Sequence, residues 1–318
     1  MRSDSVCNNR QLIKTIIGFV LSFILLALPA CSSQSGSGSA DVENSGYGED
    51  NVTQEELKAA ISSGEISDAS DIKYNFPKRK PKDESDGMVF DQDTLMWLNA
   101  TYAIQMEANS LDLYYVAGIH EDRQNEVDGV VDMLRSSWGI KDRKSFIKIN
   151  EWILDEGHRE KYAELVNTAK EQGITDLGNR PLSEYQELVS EKNPKLDEKD
   201  VRRMAYAAYM CENEGLESIA FWDYSRAISV LGWSYVAGYI TLDEYVQQAV
   251  PIGMLIQKEY GGWDEAGKNY LDGYKYWRDQ EPESKDVEYI MRQAAYDMLC
   301  ENPDSIYKID YNYDLLMK

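Results

Sequence analysis

The chain has little of what many catalytic and metal-binding sites are built from. It holds two histidines, His120 and His158, and four cysteines in 318 residues. No HExxH, paired CxxC or GxSxG pattern occurs, which removes support for a zinc hydrolase and for a nucleophile elbow. No motif asks for a metal or a cofactor. Basic residues are also scarce, with 33 Lys and Arg against 56 Asp and Glu, a formal charge of −23. A surface so acidic repels nucleic acid and anionic lipid headgroups, so no nucleic-acid partner is expected. Nor does any segment alternate apolar and polar residues as a half-buried strand would.

What is present begins at the N-terminus. Arg2, Arg10 and Lys14 form a basic stretch, and the run from Thr15 to Leu28 carries no charge. That run is too short for a membrane-spanning helix, which needs roughly 20 apolar residues, and it fits the core of an export signal. Leu28-Pro29-Ala30-Cys31 follows directly and resembles the lipobox of bacterial lipoproteins, with Pro29 an unusual occupant of its middle place. The resemblance implies cleavage before Cys31 and diacylglyceryl attachment to its thiol. The expected product is a lipoprotein on the outer face of the cell membrane, with the membrane as partner through Cys31. A further partner, an envelope protein or ligand, stays unidentified.

Residues 1–30 read as the signal peptide and 31–90 as a lipidated cysteine with a mostly disordered tether. The tether opens on Ser, Gly and acids with almost nothing to bury, and Thr53-Gln54-Glu55-Glu56 is a capping box that starts one short helix to about Ser63. Taking away Arg2, Arg10, Lys14 and Asp4 leaves 30 basic and 55 acidic residues, a charge of −25. Cys211 and Cys300 then remain; an exported location permits a disulfide, but the sequence favours two buried thiols.

From Asp91 onward, the signals are helical throughout. Leu95, Leu98, Tyr102 and Met106 form one amphipathic stripe. Further helices are expected over Glu121–Ser137, from an N-cap at Asp142 to Gly157, and over His158–Gly173. After Pro181, which opens a short one, helices are expected from Asp197 through Cys211, over Leu216–Ala237, and from the Thr241 capping box to Tyr260 with a kink at Pro251. Trp263–Asp279 and Asp286–Glu301 complete the set. The fold class is all-α, a single multi-helix domain over 91–318.

Two motifs fail on inspection. Gly262 to Lys268 has the glycine and lysine spacing of a phosphate-binding loop, but Asn269 stands where Ser or Thr belongs and Asp264 and Glu265 would repel phosphate. The glycines read instead as a helix end and a helix start. Asp310, Asn312 and Asp314 alternate as in a calcium loop, with Leu315 where glycine is required. His158 reads as a helix-start residue rather than a base.

Residues 219–279 hold Trp222, Trp233, Trp263 and Trp277 among many tyrosines. Here the Asp223–Arg226 pair, Gly232-Trp233, Ala237-Gly238-Tyr239, Trp263, Tyr270, Gly273 and Trp277 come in order. Upstream stand Trp138-Gly139-Ile140, Trp152 and Gly157-His158-Arg159. In these pieces, over about 95–280, the chain resembles the bacterial family catalogued as domain of unknown function 1266. That resemblance implies a fold and no activity. It marks Asp223, Arg226, Trp222, Tyr239, Trp263, Tyr270 and Trp277 as the candidate family site, with no catalytic residue assigned.

Asp223 and Arg226 lie three apart on one helix face and can pair. They are either an acid or anion clamp in an aromatic pocket, or a structural ion pair among tryptophans, the commoner case. For a buried structural pair, joint apolar replacement should recover much of what single replacement loses. The aromatics serve either a core or a groove for sugars or peptides. The functional expectation is a binding or interaction module at the cell envelope. The alternative is an envelope enzyme with an acid/base site around Asp223 and Arg226 in an aromatic cleft.

Overall fold

The computed structural model describes Ser63 and residues 92–178, 180–215, 218–278 and 286–315. The export signal and all but one residue of the expected tether therefore lie outside the described residues. Ser63 itself is helical. Among the described residues every regular element is a helix. None is long and apolar enough to cross a membrane.

The expected first helix is two. Helix α1 (Gln92–Ala100) ends where α2 (Ala103–Ala108) has yet to begin. Thr101 turns its hydroxyl back to the Leu98 carbonyl at 2.6 Å, while Asn99 donates to the Leu113 and Tyr115 carbonyls. The stripe Leu95, Leu98, Tyr102, Met106 is buried throughout, so periodicity survives a break that long-range bonds impose. A short 3₁₀ turn (Val116–Gly118) leads to α3 (Gln124–Trp138), which starts three residues later than its pattern implies.

Helix α4 (Arg143–Asp155) is capped by Asp142, whose carboxylate accepts from the Ser145 N–H while Ser145 reaches back. Then come α5 (Gly157–Glu171), α6 (Leu182–Lys192) and α7 (Glu198–Glu214), the last running three residues beyond Cys211. Helix α8 (Ala220–Val236) is followed by α9 (Leu242–Glu259), capped by the Thr241–Glu244 box and helical through Pro251. Helices α10 (Trp263–Arg278) and α11 (Val287–Glu301) and a 3₁₀ turn (Ile306–Lys308) close the chain.

Helix α8 sits at the centre. Arg226 and Tyr235 are its only residues that are not buried. A helix apolar on all sides must be covered on all sides, and α3, α4, α5, α9 and α10 pack around it. A second cluster, with Tyr162, Val166, Tyr185, Val189, Met204 and Ala208 inside, joins α5, α6 and α7 beside this core. Cys211 and Cys300 are free and half-buried.

Helices α8 and α10 approach closely at Gly273, which faces Trp222. A β-carbon at Gly273 would fall inside contact distance of the Trp222 β-carbon, an atom fixed to the backbone. Gly273→Ala should therefore destabilise the fold by about 1–3 kcal/mol of overpacking, outweighing the roughly 1 kcal/mol that alanine offers a helix. A thermal melt checks this; an unchanged midpoint would mean that α8 and α10 can separate without loss.

Candidate functional site

The site forms where α4 turns into α5. Only Glu156 separates the two helices, and Gly157 takes φ +60. Such a corner exposes orphan carbonyls at the end of one helix and orphan N–H groups at the start of the next. The Glu156 N–H caps the Trp152 carbonyl, and the Glu156 side chain caps neither set. Arg159 supplies the first side-chain cap, its guanidinium donating to the Ile153 carbonyl at 2.7 Å and to the Leu154 carbonyl. Asp223, some 65 residues away on α8, supplies the second. Its Oδ2 accepts from the His158 N–H at 2.8 Å and the Arg159 N–H at 3.0 Å.

Asp223 is fully buried, and an isolated carboxylate there would be costly. It is surrounded by donors. Arg159 Nη1 lies 3.4 Å from Oδ2, and Arg226 Nη1 lies 3.3 Å from Oδ1. The positive end of α5 adds to this favourable field. Gly157 is required twice over, for its positive φ and because a β-carbon there would strike the Asp223 carboxylate.

Arg226 Nη1 also donates to His158 Nδ1 at 2.7 Å. A guanidinium has only donors, so Nδ1 is the acceptor and the ring proton sits on Nε2. The 3.4 Å approach of Nδ1 to Asp223 Oδ1 is then between two acceptors and is no bond. The guanidinium lies against the Trp138 and Trp222 rings, 4.8 and 5.3 Å from their centroids. Burial pushes Arg226 below its ordinary pKa, and Asp223 pulls it back up. Trp152 packs its ring edge-on to His158 at 5.7 Å.

Of the seven residues singled out in the sequence, five come together. Trp222 meets Tyr270 at 5.0 Å and Trp277 at 5.8 Å, with Asp223 and Arg226 next along α8. The other two lie elsewhere. Trp263 packs with Trp97, Tyr307 and Tyr311, and its indole donates to the Ile309 carbonyl. Tyr239 sits in the α8–α9 turn, where its carbonyl accepts weakly from Arg143. Trp222 is enclosed by tyrosines rather than lining an open cleft. His158 and Arg159 are the site residues that the spacing of Asp223 and Arg226 could not reveal; their signal was a glycine at a helix start. Lys268, in the failed phosphate-loop pattern, is turned onto Asp264 at 2.8 Å. Among the described residues no three His, Cys, Asp or Glu side chains gather as a metal would need.

A second perturbed group lies on α10. Burial pushes Asp272 up to about 7, against the pull of Lys275. Burial pushes Lys275 down, and its ammonium rests 4.6 Å from the Tyr289 ring centroid. Nothing in the sequence around Asp272 signals this, because the shift comes from what α10 is packed against.

Both carboxylates can be tested by replacement. Asp223→Ala strands Arg226, Arg159 and two backbone N–H groups, and should cost roughly 3–5 kcal/mol in a thermal or denaturant melt. Joint apolar replacement of Asp223 and Arg226 should recover less than the pair alone implies, since the α5 N–H groups stay uncapped. Asp223→Asn should also destabilise, because its amide would turn N–H toward donors. A melt unchanged in either single variant would overturn the structural role.

Asp272 predicts a pH effect. Its ordinary value is 3.8 and its folded value about 7, so the native chain holds an extra proton between them. Stability attributable to Asp272 therefore falls as pH rises through that window and is level beyond it. Asp272→Asn should raise the melting temperature at pH 8 and leave it unchanged at pH 4; equal shifts at both would refute the cause.

The family model described as "Protein of unknown function (DUF1266)" matches residues 133–311. The match begins after α2 and extends past Asp279, where the sequence resemblance stops, to take in α11 and Tyr311. It covers Trp138, Trp152, the α4–α5 corner and Asp223–Arg226 together. No curated protein and no solved structure matches the chain. With more than half its length matched, the chain belongs to the DUF1266 family.

Proposed function

We propose that this chain is a lipoprotein held on the outer face of the bacterial cell membrane through Cys31, and that its helical domain binds a partner or ligand at the envelope rather than catalysing a reaction. The anchor rests on the basic stretch, the uncharged run and the lipobox-like Leu28-Pro29-Ala30-Cys31. The non-catalytic reading rests on one observation, the occupied carboxylate of Asp223. A general acid or base needs an oxygen within reach of substrate. Both Asp223 oxygens are spent on α5 and on the two arginines, at zero exposure.

The rival reading, an acid/base enzyme, would want a second carboxylate tuned against Asp223. Asp272 is the carboxylate tuned toward neutrality, and the charges acting on it are Lys275 and Glu214. The two acids do not form a pair.

Replacing Cys31 by Ser should abolish signal cleavage and membrane retention together, because lipid transfer precedes the cut. Fractionation of cells carrying the variant reads both. A Cys31→Ser chain of mature size that still sediments with membranes would remove the anchor.

A further inference from the structure

The surroundings of Arg226 hold more donors than acceptors. Both oxygens of Asp223 are engaged, Oδ2 by three donors and Oδ1 by Arg226. Arg226 commits one nitrogen, Nη1, to Asp223 and His158. Its Nε and Nη2 donate to no group among the described residues. These two form the side-on fork of a guanidinium, whose parallel N–H bonds match a carboxylate or phosphate edge. The indole N–H groups of Trp138 and Trp222 are buried without an acceptor, and both rings lie against that same guanidinium. Leaving buried donors unmet costs about 1–3 kcal/mol each. His158 adds the N–H on Nε2.

Access and charge agree with this count. Side-chain exposure falls from 23% at His158 to 12% at Arg226 and zero at Asp223, with Trp152 exposed at the rim. The spot is thus open on one side and floored by the ion pair. Arg159 and Arg226 against Asp223 leave one net positive charge, in a chain whose formal charge is −23. Two arginines share the one carboxylate, and among the described residues the fork of Arg226 faces no acid of its own.

We infer that Arg226 anchors an anion site, its Nε–Nη2 edge taking a carboxylate or phosphate group of a ligand between Trp138 and His158. Asp223 is a positioning residue: by holding Nη1 it fixes which edge of the guanidinium faces out. This inference rests on the binding-module reading and names the chemistry of what that module binds.

The test is a titration of the whole chain with sodium phosphate and with sodium acetate, at ionic strength held constant with sodium chloride. Tryptophan fluorescence and the melting temperature are read together, since a ligand of the native state raises the midpoint as it fills its site. Wild type should respond saturably to at least one of the two anions. A response to phosphate alone assigns a phosphorylated ligand, and a response to acetate assigns a carboxylate. Arg226→Lys keeps the charge but loses the fork, and should weaken binding about tenfold or more. Trp138→Phe keeps an aromatic ring over the guanidinium and removes one donor; it should weaken binding several-fold, read against the variant's own starting melting temperature. Should Arg226→Lys fail to fold, Trp138→Phe decides alone. No saturable response to either anion, or one that both variants retain in full, as for an adventitious ion, overturns the site. The titration needs no membrane, so a failed anchor and a failed anion site give separate results.

Discussion

A buried carboxylate on a buried helix is the constraint from which most of this domain can be read. Helix α8 is enclosed by its neighbours, and Asp223 lies inside that enclosure. A charge placed there must be matched or the helix cannot be buried. The match is assembled from three places: the first N–H groups of α5, the Arg159 side chain and Arg226. In return, Asp223 fixes how α4 and α5 meet. Arg159 completes the corner by capping the carbonyls that α4 leaves open. One anion thereby sets the relative placement of three helices, and Gly157 is the residue whose lack of a side chain lets it approach.

The aromatic residues serve this arrangement as filling rather than as an open groove. Tyrosine outnumbers phenylalanine 22 to 6, a ratio that suits a core of helices with polar ends to satisfy. Several buried or half-buried tyrosines place the ring in the core and the hydroxyl on a backbone or side-chain partner. Tyr311 donates to the Ile256 carbonyl at 2.8 Å, Tyr162 shares a bond with Ser218 at 2.8 Å, and Tyr296 donates to Asp264 at 2.5 Å. Arg292 repeats on α11 the theme of Arg226, buried over the Tyr274 ring at 4.4 Å and paired with Glu288. At both of these arginines an aromatic face and an acid are at hand.

How far the sequence reveals these features depends on how local their causes are. The caps at Asp142, Asp197, Thr241 and Asp286 each need only three or four residues of context, and all four form. The break between α1 and α2 does not, because Asn99 is held by carbonyls 14 and 16 residues away. The Asp223–Arg226 pair is visible as an i, i+3 spacing. Its partners His158 and Arg159 are not, since contacts across 64 and 65 residues leave no periodic trace. The family resemblance did place the two segments in one set, without saying that they touch. Trp263 shows the converse: it belongs to that set and packs in another part of the core.

The geometry shifts attention from the acid to the base of the pair. In sequence, Asp223 is the natural candidate for chemistry, because carboxylates shift readily when buried. In the fold, both its oxygens are held by structure, while Arg226 keeps an edge that structure does not use. An arginine fixed at one edge, flanked by two indoles and touching solvent at the other, is preorganised: its rotamer entropy is already lost to the fold. The carboxylate does for the arginine what an orienting acid does for a catalytic histidine, but the oriented group can only donate. Donation without proton release is the chemistry of recognition, and in the proposed anion site the ion pair would serve the fold and the binding edge at once.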